Sequence, residues 1–218
     1  MPFPNILNKA QIKEFDNPPI FKSEDRKIFF DIPRALENEF LEIRNNTNKL
    51  VFIIMIGYFK CCKKFFIPIK FNEKDINYVV NKYNLEFKDK KLKDFSRTNI
   101  YRYKDIILRH FSISEFDNNA KNLLKQEARN VVQKEFKMRA IFQGLLNFLC
   151  LKKIEIPNYN VLAEIITNTL NEYEKDISFK LSNLLDNDKK DLLDDLLQKI
   201  QTETIKGKKY NLTNLIFN

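Results

Sequence analysis

Asn48-Lys49-Leu50-Val51-Phe52-Ile53-Ile54-Met55-Ile56-Gly57-Tyr58-Phe59-Lys60-Cys61-Cys62 is the stretch on which the fold turns. Its apolar residues occupy nearly every side of a helical period, which a buried helix requires. The β-branched residues make a buried strand the competing reading. Length decides for the helix, because strands usually run only about 5–6 residues. Lys60, Lys63 and Lys64 suit its carboxyl end, where cations meet the negative pole of the helix dipole. The apolar core of the segment, Leu50 to Phe59, is too short to span a bilayer.

Outward from this helix the punctuation is helical too. Before it, Asn45-Asn46-Thr47 offers a cap, and Pro33 sits in the first turn of a helix reaching Arg44. Two short helices fit Asn8 to Phe15 and Ser23 to Phe30, the latter with Ser23 as its cap, separated by Asn17-Pro18-Pro19. After it, Pro68 closes the segment and Asn72 caps Glu73 to Tyr83. There Ile76, Val79, Val80 and Tyr83 form one apolar stripe, while Lys74, Asn77, Asn81 and Lys82 face outward. Glu86 to Phe95, rich in lysine, reads as a linker. Ser96 then begins a basic helix with Arg97, Arg102, Lys104 and Arg109, and Asp117 begins another reaching Phe136. Further helices fit Met138 to Leu151, Asn158 to about Leu185, and an acidic amphipathic one at Asp186 to Ile200. The segment Lys63-Lys64-Phe65-Phe66-Ile67-Pro68 is echoed by Lys152-Lys153-Ile154-Glu155-Ile156-Pro157, as two similar helical units would produce.

Composition agrees. With 44% apolar residues and 20 Phe among 218, the chain can bury a core. Only 3 Gly and 7 Pro argue for long helices with few breaks. The expectation is an all-α protein: a first helical subdomain over 1–87, a second over 88–185, and an acidic helix with a tail over 186–218.

The same residues exclude much chemistry. Three glycines leave no room for a phosphate-binding GxxxxGK loop or a GxGxxG turn. Cys61 and Cys62 are adjacent, Cys150 is remote, and His110 is the sole histidine, so neither a metal site nor a histidine-based catalytic site is expected. No cofactor is expected, and the chain reads as a non-enzyme. An odd cysteine count without a secretory segment points to the cytoplasm.

What remains is charge. The net charge is +9. Between Arg44 and Arg109 stand 16 Lys and Arg against 6 Asp and Glu, and elsewhere 22 against 23. The whole excess is therefore local, and a local basic field attracts phosphate polyanions. Arg97, Arg102 and Arg109, interleaved with Tyr101 and Tyr103, can grip phosphates or reach guanine edges. Lys49, Lys60, Lys63 and Lys64 are the next candidates. The helices Asn48–Cys62 and Glu73–Tyr83 have the pattern of a helix-turn-helix, with Lys74 and Asn77 on the outer face of the second.

These residues bear a specific likeness. Asp16-Asn17-Pro18-Pro19, Thr47-Asn48-Lys49-Leu50 leading into Gly57-Tyr58-Phe59-Lys60, Cys61-Cys62-Lys63-Lys64-Phe65-Phe66 and Asp75-Ile76-Asn77-Tyr78-Val79 stand in this order. Arg97, Lys153-Ile154-Glu155-Ile156-Pro157 and Leu162-Ala163-Glu164-Ile165-Ile166 follow. The run from Leu7 to Asp186 resembles the amino-terminal region of Tn-three family, cointegrate-forming transposases. That resemblance implies helical domains binding double-stranded DNA at terminal inverted repeats, with the acidic catalytic triad in a downstream domain this chain lacks. Full-length transposase or a second copy of the chain is the protein partner to expect, through the Asp186–Ile200 helix if the chain is an interaction module. The alternative is a helical protein-interaction module, or the non-functional remnant of a truncated transposase gene.

Overall fold

The computed structural model describes residues 6–87 and 92–184, together with positions 189, 191, 194 and 195. The described residues are helical, with no strand among them. In chain order the helices are α1 (Lys9–Asp16), α2 (Ser23–Phe29), α3 (Glu37–Glu42), α4 (Asn46–Cys62), α5 (Glu73–Lys82), α6 (Arg97–Phe111), α7 (Asn118–Val132), α8 (Met138–Leu151) and α9 (Tyr159–Leu184). Short 3-10 turns precede α3 at Arg34–Leu36 and α5 at Pro68–Lys70.

The deciding segment is a helix, and its surroundings explain why. From Leu50 to Phe59 every residue of α4 is buried, with α2, α5 and α6 packed around it. Each large apolar side chain so enclosed contributes about 1.5–3 kcal/mol. Asn45 starts this helix, its side chain accepting the amides of Thr47 and Asn48 at 2.9 and 3.2 Å. Lys63 ends it in the left-handed region, at φ 53°.

Most caps fall where the residue types suggest. Asn8 and Gln11 form a reciprocal capping box on α1, and Asn72 and Asp117 cap α5 and α7. Two expected serine caps do not form. Ser23 is the first residue inside α2, where the Asp25 carboxylate instead takes the Lys22 amide at 2.8 Å. Ser96 precedes α6 without a capping bond from its side chain. The helix expected to reach Phe136 stops at Val132, and the segment from Pro33 to Arg44 divides into a 3-10 turn and α3.

Contacts divide the chain into a unit ending at Leu170 and a second beginning at Asn171. Within the first unit, the expected division at 87/88 is bridged repeatedly. Tyr103, Ile107 and Leu108 of α6 join the core built on α4. Phe15 of α1 meets Phe142 of α8 edge-on at 5.4 Å. The α7–α8 pair buries Leu124, Ala128, Val132, Ile141 and Leu145, all with 0% exposure. Lys88, Lys90 and Lys91 of the expected linker lie outside the described residues, as does the Asp186–Ile200 helix apart from four positions.

The sequence echo is a structural junction. Lys63 and Lys153 both take φ 53°, each just after a helix, and Ser112 after α6 takes 50°. The Ile156 amide donates to the Lys63 carbonyl at 3.0 Å. Ser114 pairs with the 153–155 strand-like segment through bonds of 2.8 and 2.9 Å. The carboxyl ends of α4, α6 and α8 therefore meet, and backbone groups left unpaired at helix ends find partners there.

Candidate nucleic-acid interface

The ten basic and polar residues singled out by sequence separate into two classes. Those on α4 and just beyond its end turn toward the fold. Lys64 is only 7% exposed. Its ammonium donates to the Phe15 carbonyl at 2.9 Å, pairs with Asp16, and lies 3.9 Å from the Phe15 ring centroid. Burial pulls its pKa down, and Asp16 opposes that pull without cancelling it. Lys60 donates to the carbonyls of Ile28, Phe29 and Asp31, closing the carboxyl end of α2; burial lowers its pKa too. Lys63 donates to the Lys60 carbonyl and covers the rings of Phe59 and Phe111. Lys49 lies over the Phe40 ring at 5.0 Å.

Lys104 belongs with this inward class although it sits on the basic helix. Its ammonium bridges Glu115 at 2.7 Å and Glu155 at 2.9 Å. Burial works to lower its pKa, but the two carboxylates outweigh it and leave it raised. It therefore binds α6 to the junction of helix ends.

The outward class is smaller. Arg102 and Arg109 stand two turns apart on α6, exposed, opposite the buried Tyr103 and Ile107. Arg102 lies over the Tyr103 ring at 5.6 Å, and Arg109 pairs with exposed Asp105 at 2.8 Å. Such an exposed pair is weak, worth about 0.3–0.5 kcal/mol, and yields to a phosphate. Arg97 is exposed in the first turn. Tyr101, 66% exposed, adds a hydroxyl to this face. On α5, Lys74 and Asn77 are exposed while Asp75, Ile76 and Val79 are buried.

Sequence reading missed a buried polar triad that sets the position of α5. Asp75 has no exposure, and it accepts the Arg26 Nε at 2.7 Å and the Tyr58 hydroxyl at 2.9 Å. That hydroxyl in turn accepts the Asn72 amide at 3.1 Å. Burial raises the Asp75 pKa, against the pull of Arg26 and Tyr58. A second missed hub is Asp16, whose carboxylate accepts the Tyr159 amide besides pairing with Lys64. A lone Asp before Asn-Pro-Pro and an Asp in a helix's first turn both pass for capping residues, so sequence carries little signal for either.

Among the described residues no group of three or more His, Cys, Asp or Glu could hold a metal ion, and no helix is long and apolar enough to cross a membrane. No curated protein matches the chain. Residues 6–169, about three quarters of the chain, match the model of a family described as a domain of unknown function, DUF4158, and the chain belongs to that family.

Proposed function

We propose that this chain binds double-stranded DNA through the outer faces of α5 and α6, as the amino-terminal end-recognition region of a Tn-three family transposase. The observation that carries the reading is the face of α6. Arg102 and Arg109 are aligned and exposed there, and neither Arg97 nor Arg102 has an ion pair among the described residues. Arg102, with no ion pair, and Arg109, whose exposed pair with Asp105 is weak, suit bidentate contacts with phosphates or guanine edges. Lys74 and Asn77 on α5 extend the same chemistry. Two further points support the reading: the ordered segments resemble those of that transposase family, and this domain family is commonly found in such transposases. Recognition is the proposed role, without strand cleavage by this chain. Full-length transposase or a second copy is the protein partner proposed.

The test is binding of the purified chain to a labelled duplex bearing the terminal inverted repeat of the nearest intact element in its genome, against a scrambled duplex. A preference of about a hundredfold or more supports end recognition. Equal, salt-sensitive binding to both defeats it, and absence of binding to either defeats DNA binding altogether. The double substitution Arg102→Glu/Arg109→Glu is expected to abolish the complex while leaving the helical circular dichroism unchanged.

A further inference from the structure

A pocket of about 940 Å³ opens over Phe15 and Lys64, between α1, the 17–20 segment and the chain that follows α4. Its interior is apolar. Phe15, Pro18, Phe66 and Ile156 line it, and Ile20, 88% exposed, stands at the lip. Ile67 and Ile69 lie on the turn joining two lining residues, Phe66 and Lys70, and are more than half exposed. Apolar side chains gathered at an open pocket mark a binding surface. The walls are fixed before anything binds. Asp16 holds Lys64 and the Tyr159 amide, Lys64 also holds the Phe15 carbonyl, and Pro18-Pro19 stiffens the remaining side.

The exposed charge at the lip is mainly positive. Lys13 and Lys70 are exposed lining residues, against one carboxylate, Glu14. Lys13 has no ion pair among the described residues, and the Lys70 ammonium meets the Asp16 backbone carbonyl at 3.2 Å. An occupant of matching chemistry is apolar on one side and acidic on the other. The chain carries such a segment itself, Asp191-Leu192-Leu193-Asp194-Asp195-Leu196-Leu197. At a helical period its four leucines share one side with Ile200, and Asp191, Asp194 and Asp195 take the other. These three aspartates are helical and exposed.

We propose that the pocket receives the 191–197 segment of a second copy of this chain. The leucines enter the apolar interior as the face of an amphipathic helix enters a groove. The aspartates stay at the lip beside Lys13 and Lys70. This occupant rests on the second copy proposed above as a partner, and DNA has no part in it. The exchange is reciprocal, each copy giving its segment to the other's pocket. Reciprocity doubles the buried area of one contact and closes the pair about a two-fold axis.

Sedimentation equilibrium of the full chain, without DNA, tests the exchange. The wild type is expected to form dimers at micromolar concentration. Lys13→Glu/Ile20→Glu alters two exposed side chains of the lip, and Leu193→Ser/Leu196→Ser alters the segment. Each double variant is expected to weaken the dimer severalfold and to keep its helical circular dichroism. Mixed in equal amounts, the two should associate again at intermediate affinity, because one retains an intact segment and the other an intact pocket. Leu41→Glu, at an exposed position away from the pocket lining, is expected to dimerise like the wild type. Dimers indifferent to the lip variant overturn the pocket while keeping a second copy as partner. A mixture of folded variants that fails to associate overturns the reciprocal exchange. A monomeric wild type overturns the second copy and the proposal with it.

Discussion

Gly57 of α4 lies directly beneath the ring of Phe30, so close that a methyl at its Cα would stand 2.5 Å from the ring's Cε1 and nearer still to Cδ1. Phe30 is fully buried and itself packs on Phe21 and Tyr58, so the ring has nowhere to retreat. The contact sets the approach of α2 to α4. Gly57→Ala is expected to cost about 1–3 kcal/mol by overpacking, although alanine is the better helix former. Gly144 of α8 is the control, since a methyl there meets Val131 at ordinary distances of 3.8 and 4.0 Å. Gly144→Ala should stabilise by up to about 1 kcal/mol. Urea unfolding of both variants checks the contrast, and destabilisation of equal size in the two would refute it.

The triad of Arg26, Tyr58 and Asp75 makes a prediction with a sign in pH. Asp75→Ala leaves a largely buried guanidinium unpaired and should cost about 3–5 kcal/mol. Tyr58→Phe orphans the Asn72 amide and one carboxylate oxygen, and should cost about 1–3 kcal/mol. Because burial raises the Asp75 pKa above its ordinary 3.8, the folded state holds that proton more tightly than the unfolded chain. Its contribution to stability is therefore fullest below pH 3.8 and falls as pH rises through the folded value. Wild-type stability measured against Asp75→Asn should decline over that acidic window. A difference that grows with pH would mean that Arg26 and Tyr58 outweigh burial.

The adjacent thiols are expected to differ in reactivity. Burial pushes the Cys62 thiol up to about 12, and its Sγ lies 3.1 Å from the Tyr58 carbonyl. Cys61 is exposed, though partial burial raises its thiol as well, and Cys150 is exposed on α8. Thiolate is the reacting form. Iodoacetamide near pH 8 should modify Cys150 and Cys61 in the folded chain and spare Cys62, as read by peptide mass mapping. Modification of Cys62 at the rate of Cys61 would show that the end of α4 opens in solution.

How far the fold could be read from sequence follows from which forces are local. Apolar periodicity and the caps Asn8, Asn45, Asn72 and Asp117 act within a few residues, and they locate α1, α4, α5 and α7. The ends of α7 and of the Pro33–Arg44 segment are set by packing, and local pattern misses them. Long-range pairing is invisible to periodicity. Nothing in the chain announces that Asp16 would reach the Tyr159 amide, or that Lys104 would reach Glu155. For the same reason charge density located the basic third of the chain but could not sort its members. Lys60, Lys63 and Lys64 look alike to Lys74 in sequence, and only partners remote in the chain turn them inward: the end of α2 for Lys60, the Phe111 ring for Lys63, and Phe15 with Asp16 for Lys64.

That sorting yields the sharpest expectation about the interface. Lys104 is held between Glu115 and Glu155, and its ring contact is with Phe65, so Lys104→Met should lower stability by leaving a largely buried Glu155 unpaired. Whatever fraction remains folded should keep its salt dependence of duplex binding. Arg102→Gln removes an exposed cation that lies over the Tyr103 ring and has no ion pair among the described residues, so stability should stay within about 0.5 kcal/mol. If Arg102 contacts a phosphate, affinity should fall uniformly across duplexes with a salt slope lower by about one; if it reads a base, about 1–3 kcal/mol of discrimination should be lost at one position. Denaturation curves and salt-dependent binding on the same two variants separate the roles. A Lys104→Met chain of unchanged stability with a flattened salt slope would move the DNA surface to the other side of α6.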